Sequence, residues 1–497
     1  MGRLITPQFE LSKNLSSKLE ELISSADYIM PMVMQSQNAT NVPRLLIAGV
    51  TSGVGKTLVS TSIMYYFESK GYQVQPFKVG PDFIDPTYHA AICKRDSYNL
   101  DVWMMGKSGV LNKFNRTSSN ADIAVIEGVM GVFDGVSGKS GFGSTAHVAR
   151  ILNSPIILVV DASRAGESIA ALVYGFLNFD KRLDVLGLVL NKVASLKHLK
   201  AIKEGMKKKI NVPIIGVIFR DKDLELNERH LGLIPVLKTD GSNVNGIVTM
   251  SRLISKNLCL KRLRNFHVIR RGTVPMSKLE HGEPVVKIAI AQDESFNFYY
   301  PDTTESLRLN NAEIINFSPV NDKRLPDGIS GLILGGGFPE ILADHLTKNY
   351  CIKKSILREA ENGMPIYAEC GGLMYLTKTI TQFQKGKKKT SKMIGLVDAD
   401  TVMTDRPVLN YTEAENSASF FRDIRKVRGH EFHYSKMHNI GKDLRFAYAL
   451  RRGNGISNNK DGAIVYNCLA SYMHLHFGGD QRLARRVVDL CRNYSRK

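Results

Sequence analysis

Three short stretches of this chain hold the residue types that could do chemistry. In Met364-Pro-Ile-Tyr-Ala-Glu-Cys-Gly-Gly-Leu-Met-Tyr-Leu376 an apolar run meets a thiol, two glycines and then a helical pattern. A strand that breaks into a glycine turn and a helix lifts the residue at the turn clear of the sheet, as nucleophilic enzymes require. Gly371 and Gly372 permit the tight backbone, and the positive end of the following helix favours a thiolate at Cys370. About thirty residues upstream lies Gly331-Leu-Ile-Leu-Gly-Gly-Gly-Phe-Pro-Glu340, and far downstream lies Ser471-Tyr-Met-His-Leu-His-Phe477.

The second chemistry is phosphate binding. Gly49-Val-Thr-Ser-Gly-Val-Gly-Lys-Thr57 follows an apolar strand and precedes a helical pattern over 56–69 that Gly71 caps. Backbone N–H groups of Gly53, Val54 and Gly55 would cradle phosphate oxygens, Lys56 would reach the outer phosphates, and the Thr57 hydroxyl would ligate magnesium. ATP and Mg²⁺ are the expected cofactors. The strict pattern asks for glycine where Val50 stands, and glycines fall at 49 and 53 instead. An acid must help hold the metal, and two strands end in one: Asp122-Ile-Ala-Val-Ile-Glu127 and Ile156-Ile-Leu-Val-Val-Asp161. The tail Glu127-Gly-Val-Met-Gly-Val-Phe-Asp-Gly135 favours Glu127, and Asp161 reads equally as a strand-end turn residue. The third stretch, Phe77-Lys-Val-Gly-Pro-Asp-Phe-Ile-Asp-Pro-Thr-Tyr-His89, packs a lysine, two aspartates and a histidine into a turn that faces the phosphate loop.

The elements that must position these residues alternate. Apolar strands at 45–50, 72–77, 122–127, 155–160, 184–190 and 213–218 are separated by helical patterns, the signature of a parallel sheet wrapped by helices. A second α/β pattern begins at Val285-Val-Lys-Ile-Ala-Ile-Ala291 and runs to the end. The fold class is therefore α/β with two domains: an extension over 1–43, a phosphate-loop domain over 44–255, a basic linker over 256–284 and a second domain over 285–497.

The Cys370 elbow, the glycine run 335–337 and the His-Leu-His ending together resemble the class I glutamine amidotransferase domain, which releases ammonia from glutamine through a cysteine thioester. The resemblance implies backbone N–H donors for the oxyanion at Gly336 and Gly337, and a histidine that activates the thiol. Members usually carry His-x-Glu near the domain end. That pattern places the base at His474, with His476 as fallback, and puts His476 where the glutamate belongs, so the third member of the relay is open. Ala368 replaces the first glycine of the common elbow, small for small. The loop at 49–57 resembles that of dethiobiotin synthetase and its relatives, and Asn191 occupies the position at which related ATPases contact adenine.

The Phe77–His89 segment resembles the signature of cobyrinate a,c-diamide synthases. Further matches follow in order: Asn99-Leu-Asp-Val-Trp-Met104, Glu127-Gly-Val-Met-Gly131, Gly143-Ser-Thr-Ala146, Glu228-Arg-His-Leu-Gly-Leu233, Asp293-Glu-Ser-Phe-Asn-Phe-Tyr-Tyr300, the glycine run and Arg428-Gly-His-Glu-Phe-His-Tyr-Ser435. The resemblance spans roughly 44 to 480. It implies ATP- and glutamine-dependent amidation of two peripheral acetates of cobyrinate, in cobalamin biosynthesis, through acyl phosphates. It also places Asp82, Asp85, Asp134 and Glu127 at the amidation centre, with Asp82 a further metal ligand and Lys78 a partner for the substrate carboxylate. The related synthase that acts on nickel sirohydrochlorin shares these motifs. Cobyric acid synthase fits the Lys-Val-Gly-Pro-Asp segment poorly. A partitioning-type nucleotide switch would place lysine where Thr51 stands and leave the second domain unexplained. His430-Glu-Phe-His433 lacks the spacing of a metal-binding helix and is assigned a substrate-side or interdomain role.

Composition bounds the rest. Of 497 residues 43% are hydrophobic and 23% charged, the balance of a globular protein with several cores. No run is long enough to span a bilayer, and the N-terminus lacks a basic-then-apolar leader, so a cytoplasmic location without a membrane partner is expected. Six scattered cysteines without a Cys-x-x-Cys pair argue against disulfides or zinc. The net charge of +20 calls for an anionic partner. Lysine clusters at 207–209 and 385–392 come without aromatic interleaving, so a polycarboxylate tetrapyrrole is preferred to nucleic acid. L-glutamine is the other partner, and a homodimer is allowed.

Overall fold

The computed structural model describes residues 42–220, 228–229, 232–233, 241–262, 283–384 and 387–496. The extension up to residue 41, residues 263–282 of the expected linker, and His230 and Leu231 of the Glu228–Leu233 motif lie outside the described residues.

Seven parallel strands form the first sheet: β1 (Arg44–Gly49), β2 (Val74–Val79), β3 (Tyr98–Leu100), β4 (Ile123–Glu127), β5 (Ile156–Asp161), β6 (Val185–Val193) and β7 (Ile214–Phe219). Their spatial order is β3-β2-β4-β1-β5-β6-β7. β2 and β4 are buried throughout, and β1 at every residue but its first. Strands buried on both faces read as continuous apolar runs rather than alternating ones, which is why the sequence exposes them so plainly. β3 escaped the sequence because it is three residues long and sits inside a motif. Helices α1 (Lys56–Glu68), α2 (Asp85–Cys93), α3 (Val102–Ser118), α4 (Thr145–Leu152), α5 (Ser168–Phe179), α6 (Leu196–Met206) and α7 (Gly241–Ser255) cover the faces. Two core clusters, one around Leu46, Phe77 and Leu158 and one around Ile47, Val59 and Val125, lie on opposite faces of this sheet. β1 is central, and the connections from β1 and β4 leave it toward opposite edges of the sheet. Ligands bind beyond the carboxyl ends of strands at such a switch point. After α7 the chain stays with this sheet: Leu258 bridges Gly216, and Cys259 N–H donates to the Ile215 carbonyl at 2.6 Å.

Two-residue strands β8 (Glu228–Arg229) and β9 (Gly232–Leu233) pair with each other. The second sheet begins with five parallel strands, in spatial order β12 (Ala312–Phe317), β10 (Val286–Ala291), β13 (Gly331–Leu334), β15 (Ile366–Glu369) and β22 (Cys468–Ser471). It continues through β21 (Lys460–Val465), β20 (Arg445–Arg452), β18 (Asp400–Asn416), β16 (Thr379–Gln384) and β17 (Lys387–Lys392). β19 (Lys426–His438) branches from β18 and carries β23 (His474–Leu475), and β11 (Phe296–Phe298) pairs with β14 (Gly336–Gly337). Helices α8 (Pro301–Leu309), α9 (Ala343–Lys348), α10 (Tyr350–Glu361), α11 (Gly371–Leu376) and α12 (Gln481–Ser495) complete it.

Polar and aromatic contacts join the halves. Trp103 Nε1 donates to the Thr412 carbonyl at 3.0 Å, and the Tyr411 hydroxyl donates to Asp101 at 2.7 Å. Lys113 on α3 is buried against Asp302 and reaches Glu305 at 3.0 Å, both on α8. Among the described residues no helix is long and apolar enough to cross a membrane.

Candidate active site

Cys370 caps α11 with φ 46° and ψ −98°, a left-handed-side conformation that costs a non-glycine residue of order 1–3 kcal/mol. Three backbone bonds hold it there. Cys370 N–H donates to Ser471 O at 2.7 Å, Gly372 N–H to Gly335 O at 2.9 Å, and Met374 N–H to Cys370 O at 3.0 Å. The strained elbow lies beyond β15, and the buried Ala368 in that strand pairs with Ala470, so the small-for-small change costs the strand nothing visible. The thiol donates to the Phe432 carbonyl at 3.6 Å and lies beside His474.

Of the two candidate histidines, His474 is the one the structure sets beside Cys370. Its Nδ1 stands 3.3 Å from Glu369 Oε2, which leaves Nε2 for the thiol. The third member was left open by the sequence. His476 is buried against Tyr300, with Nε2 3.7 Å from Asp302. The carboxylate beside His474 is Glu369, one residue before Cys370. β15 and β22 are neighbours with Glu369 opposite Ser471, so the end of one strand reaches the start of the His474 segment. Glu369 Oε1 also accepts from Leu475 N–H at 2.9 Å and from the Tyr367 hydroxyl at 2.5 Å. A charge ending an apolar strand was the available signal. In the first sheet the same signal marks Glu127 and Asp161.

Burial works against charge on His474, but the hydrogen bonds from Cys370 and Glu369 outweigh it and raise its pKa to about 10. The raised pKa keeps His474 protonated, so a positive charge stands beside Cys370. Gly336 must lack a side chain, since a Cβ there would lie 2.6 Å from His474 Cε1. Gly337 N lies 3.0 Å from the Cβ position of Gly371, so the expected oxyanion glycines lie beside the elbow. Gly335 N–H is engaged by the Tyr299 hydroxyl at 2.8 Å.

At the other sheet, Gly53 and Gly55 adopt φ 72° and 93°, so the loop needs glycine at both. Lys56 points back along it, Nζ 3.3 Å from Thr51 O. Burial, then Lys78, lowers its pKa to about 8. Thr57 Oγ1 donates to Glu127 Oε1 at 2.8 Å. Of the two strand-end acids, Glu127 is the one at the loop. Asp161 pairs with Lys192 at 2.9 Å and caps Ser163 N–H. Asn191 Nδ2 donates to Val54 O at 2.8 Å, so this side chain braces the loop.

Glu127 is buried and its carboxylate is shared. Oε1 meets Lys78 Nζ at 3.0 Å, and Oε2 meets His89 Nε2 at 2.7 Å. Burial opposes its charge, yet Lys78 and His89 hold its pKa well below the carboxylate range. Sequence reasoning noted His89 but gave it no role; it is fully buried, and Ser97 fixes its other nitrogen at 3.0 Å. Lys78 also meets Asp85 at 2.5 Å and Asp82 at 3.6 Å, which hold it fully charged despite burial. Burial, with Asp82 and Glu127 nearby, raises the pKa of the Asp85 carboxyl within this cluster of three acids and one lysine. Lys78 is thus occupied by the chain's own carboxylates. Asp134 accepts from Gly131 N–H at 2.9 Å, on the loop after β4, and its charge reaches Lys56.

Among the described residues no group of three or more His, Cys, Asp or Glu forms a metal cage by itself. The donors at the loop, one hydroxyl and one acid, instead suit a magnesium ion that takes its other ligands from phosphate and water. His430 and His433 lie on β19, not on a helix. His430 bonds Tyr300 at 2.7 Å and stacks on His474, at the junction of the halves.

Residues 45–234 match the model of the CobQ/CobB/MinD/ParA nucleotide binding domain, and residues 287–482 match the CobB/CobQ-like glutamine amidotransferase domain. A cobyrinate a,c-diamide synthase of Caldanaerobacter subterraneus is 39% identical over 91% of this chain and 99% of its own length. One of Methanosarcina barkeri is 38% identical over 93% and 99%. The chain belongs to the cobyrinate a,c-diamide synthase family. A third relative of that name, from Dehalococcoides mccartyi, is 38% identical over 91% of this chain. The family therefore accounts for both halves at once, and the thiol site and phosphate loop lie within the two matched domains.

Proposed function

We propose that this chain amidates the a and c acetate carboxylates of cobyrinate, with ATP as phosphoryl donor and glutamine as nitrogen donor. The observation that carries this reading is a complete Cys370–His474–Glu369 relay in the same chain as a phosphate loop matched to its own acid, Glu127. The relatives' shared name supports the tetrapyrrole.

In the glutaminase half, Cys370 Sγ attacks the glutamine side-chain amide. The amides of Gly336 and Gly337 meet the oxyanion, and His474, steadied by Glu369, delivers its proton to the departing ammonia. Water then hydrolyses the thioester. In the synthetase half, the acceptor carboxylate becomes an acyl phosphate, which ammonia attacks. Lys56 neutralises the outer phosphates, and Asn191 holds the loop that cradles them. Magnesium, held by Thr57 and Glu127 with Asp82 near, would supply charge neutralisation at the transferred phosphate. An acceptor carboxylate reaches Lys78 by replacing Asp82 or Asp85, and Asp134 flanks the same space.

Mass spectrometry of products from cobyrinate and from nickel sirohydrochlorin, each with ATP and glutamine, tests the assignment. Diamide from cobyrinate is expected. Efficient diamide formation from the nickel tetrapyrrole alone would transfer the chain to that substrate, and no amide from either would overturn the reading.

A further inference from the structure

Phe83 lies in the sequence between Asp82 and Asp85 of the carboxylate cluster, yet its ring packs on the other half of the molecule. It stacks on Phe298 at 5.2 Å and 7°, and its centroid lies 4.5 Å from Tyr300, 5.6 Å from His430 and 5.1 Å from His474. The base of the glutaminase thus has a synthetase side chain against its ring. His430 adds a second path, since it stacks on His474 at 4.8 Å and 14° while Tyr300 holds its Nε2 at 2.7 Å.

The turn that carries Phe83 is set by the cluster itself. Asp82 Oδ1 accepts from the amides of Ile84 at 2.8 Å and Asp85 at 3.1 Å, closing a loop around Phe83. Asn99 Nδ2 donates to the carbonyls of Gly80 at 2.9 Å and Asp82 at 2.8 Å, fixing its start. Lys78 ties down both acids. A carboxylate that competes for Lys78 must displace Asp82 or Asp85, and either displacement moves the backbone that holds Phe83. Phenylalanine has no proton to give, so its contact with His474 can act only through the position of the imidazole.

We propose that Phe83 is a positioning residue through which occupancy of the Lys78–Asp82–Asp85 cluster by an acceptor carboxylate controls glutamine hydrolysis at Cys370. The proposal rests on the amidation reading above and adds a direction of control to it. Hydrolysis that responds to the acceptor keeps ammonia from being released when nothing is there to take it.

The test compares the full-length chain with Phe83→Ala, Phe83→Leu and Phe83→Tyr. Glutamate release is measured with and without ATP plus cobyrinate, and amidation is measured separately with ammonium salt in place of glutamine. Phe83→Ala is expected to keep ammonium-dependent amidation while losing about fivefold or more of the stimulation of glutamate release, within the usual span of site–site coupling. Its glutamate-to-amide ratio rises above that of the wild type, and Phe83→Tyr, which keeps the ring, restores both. Wild-type stimulation and ratio in Phe83→Ala overturn the proposal. Should Phe83→Ala lose ammonium-dependent amidation, Phe83→Leu decides by the same two readouts. Failure of the amidation reading itself looks different, because the wild type then makes no amide from either nitrogen source.

Discussion

Glu127 and Glu369 end parallel strands in two different sheets, and each buried carboxylate faces a histidine, His89 at 2.7 Å and His474 at 3.3 Å. The surroundings make them different instruments. Glu127 also meets Lys78 and Thr57, so its histidine is one of three partners in a fixed charge cluster. Glu369 has no cation beyond His474 within ion-pair distance among the described residues, so its charge acts on one imidazole. In the proposed mechanism one carboxylate anchors charge for phosphate chemistry, and the other sets the basicity of a proton carrier. The backbone differs too. The phosphate loop bends at glycines, whereas the elbow forces a cysteine to φ 46° and holds it with neighbouring strands.

The sharpest way to separate the two centres is to break one at a time. Cys370→Ser should lower glutamine-dependent amidation by at least about a thousandfold and leave ammonium-dependent amidation intact, whereas Lys56→Ala should abolish both. Retention of glutamine-dependent activity in Cys370→Ser would remove the thiol from the account. Glu369→Gln should lower glutaminase kcat/KM by about a hundredfold or more, the scale of losing an orienting acid. Because Glu369 raises the pKa of His474, its loss should also move the alkaline limb of the pH profile to lower pH. A limb that stays in place would mean that Glu369 only shapes the strand end.

The joint between the centres is testable as stability. Lys113→Met leaves Asp302 buried without its cation and should cost about 3–5 kcal/mol in chemical denaturation. A loss below about 1 kcal/mol, the value of an exposed pair, would show that the halves do not depend on it. The smallest effect is a split in pH dependence. Lys56, lowered to about 8, loses its charge as pH rises through that value, while His474, raised to about 10, keeps its proton nearly two units further. Between them KM for ATP should rise while glutaminase turnover holds. Parallel decline of both activities would contradict the separation.

The first sheet, β3 apart, was readable because parallel strands buried on two faces leave apolar runs, whereas only the opening strand of the second sheet was; the loop at 49–57 was readable because phosphate binding demands glycine at fixed spacing. Each carboxylate–histidine pair, however, was only half legible. Glu127 stood out through its glycine-rich tail while His89 looked like part of a turn, and His474 stood out through the chain ending while Glu369 passed as a strand residue. These pairs form through strand register and helix packing, Glu369 opposite Ser471 above all, and register between distant strands leaves no mark in local spacing. The role of Phe83 was hidden for the same reason, since it is defined by rings more than two hundred residues away.

The most direct test of the whole account follows one nitrogen atom. Purified full-length chain is given cobyrinate, ATP, magnesium, glutamine with heavy nitrogen in its side-chain amide, and ordinary ammonium in excess. Mass spectrometry of the tetrapyrrole should then find heavy nitrogen in its amides, and Cys370→Ser should give the same product carrying only ordinary nitrogen. Product with ordinary nitrogen from the wild type, or heavy nitrogen surviving in Cys370→Ser, would contradict the claim that the Cys370 centre feeds the one at Lys56.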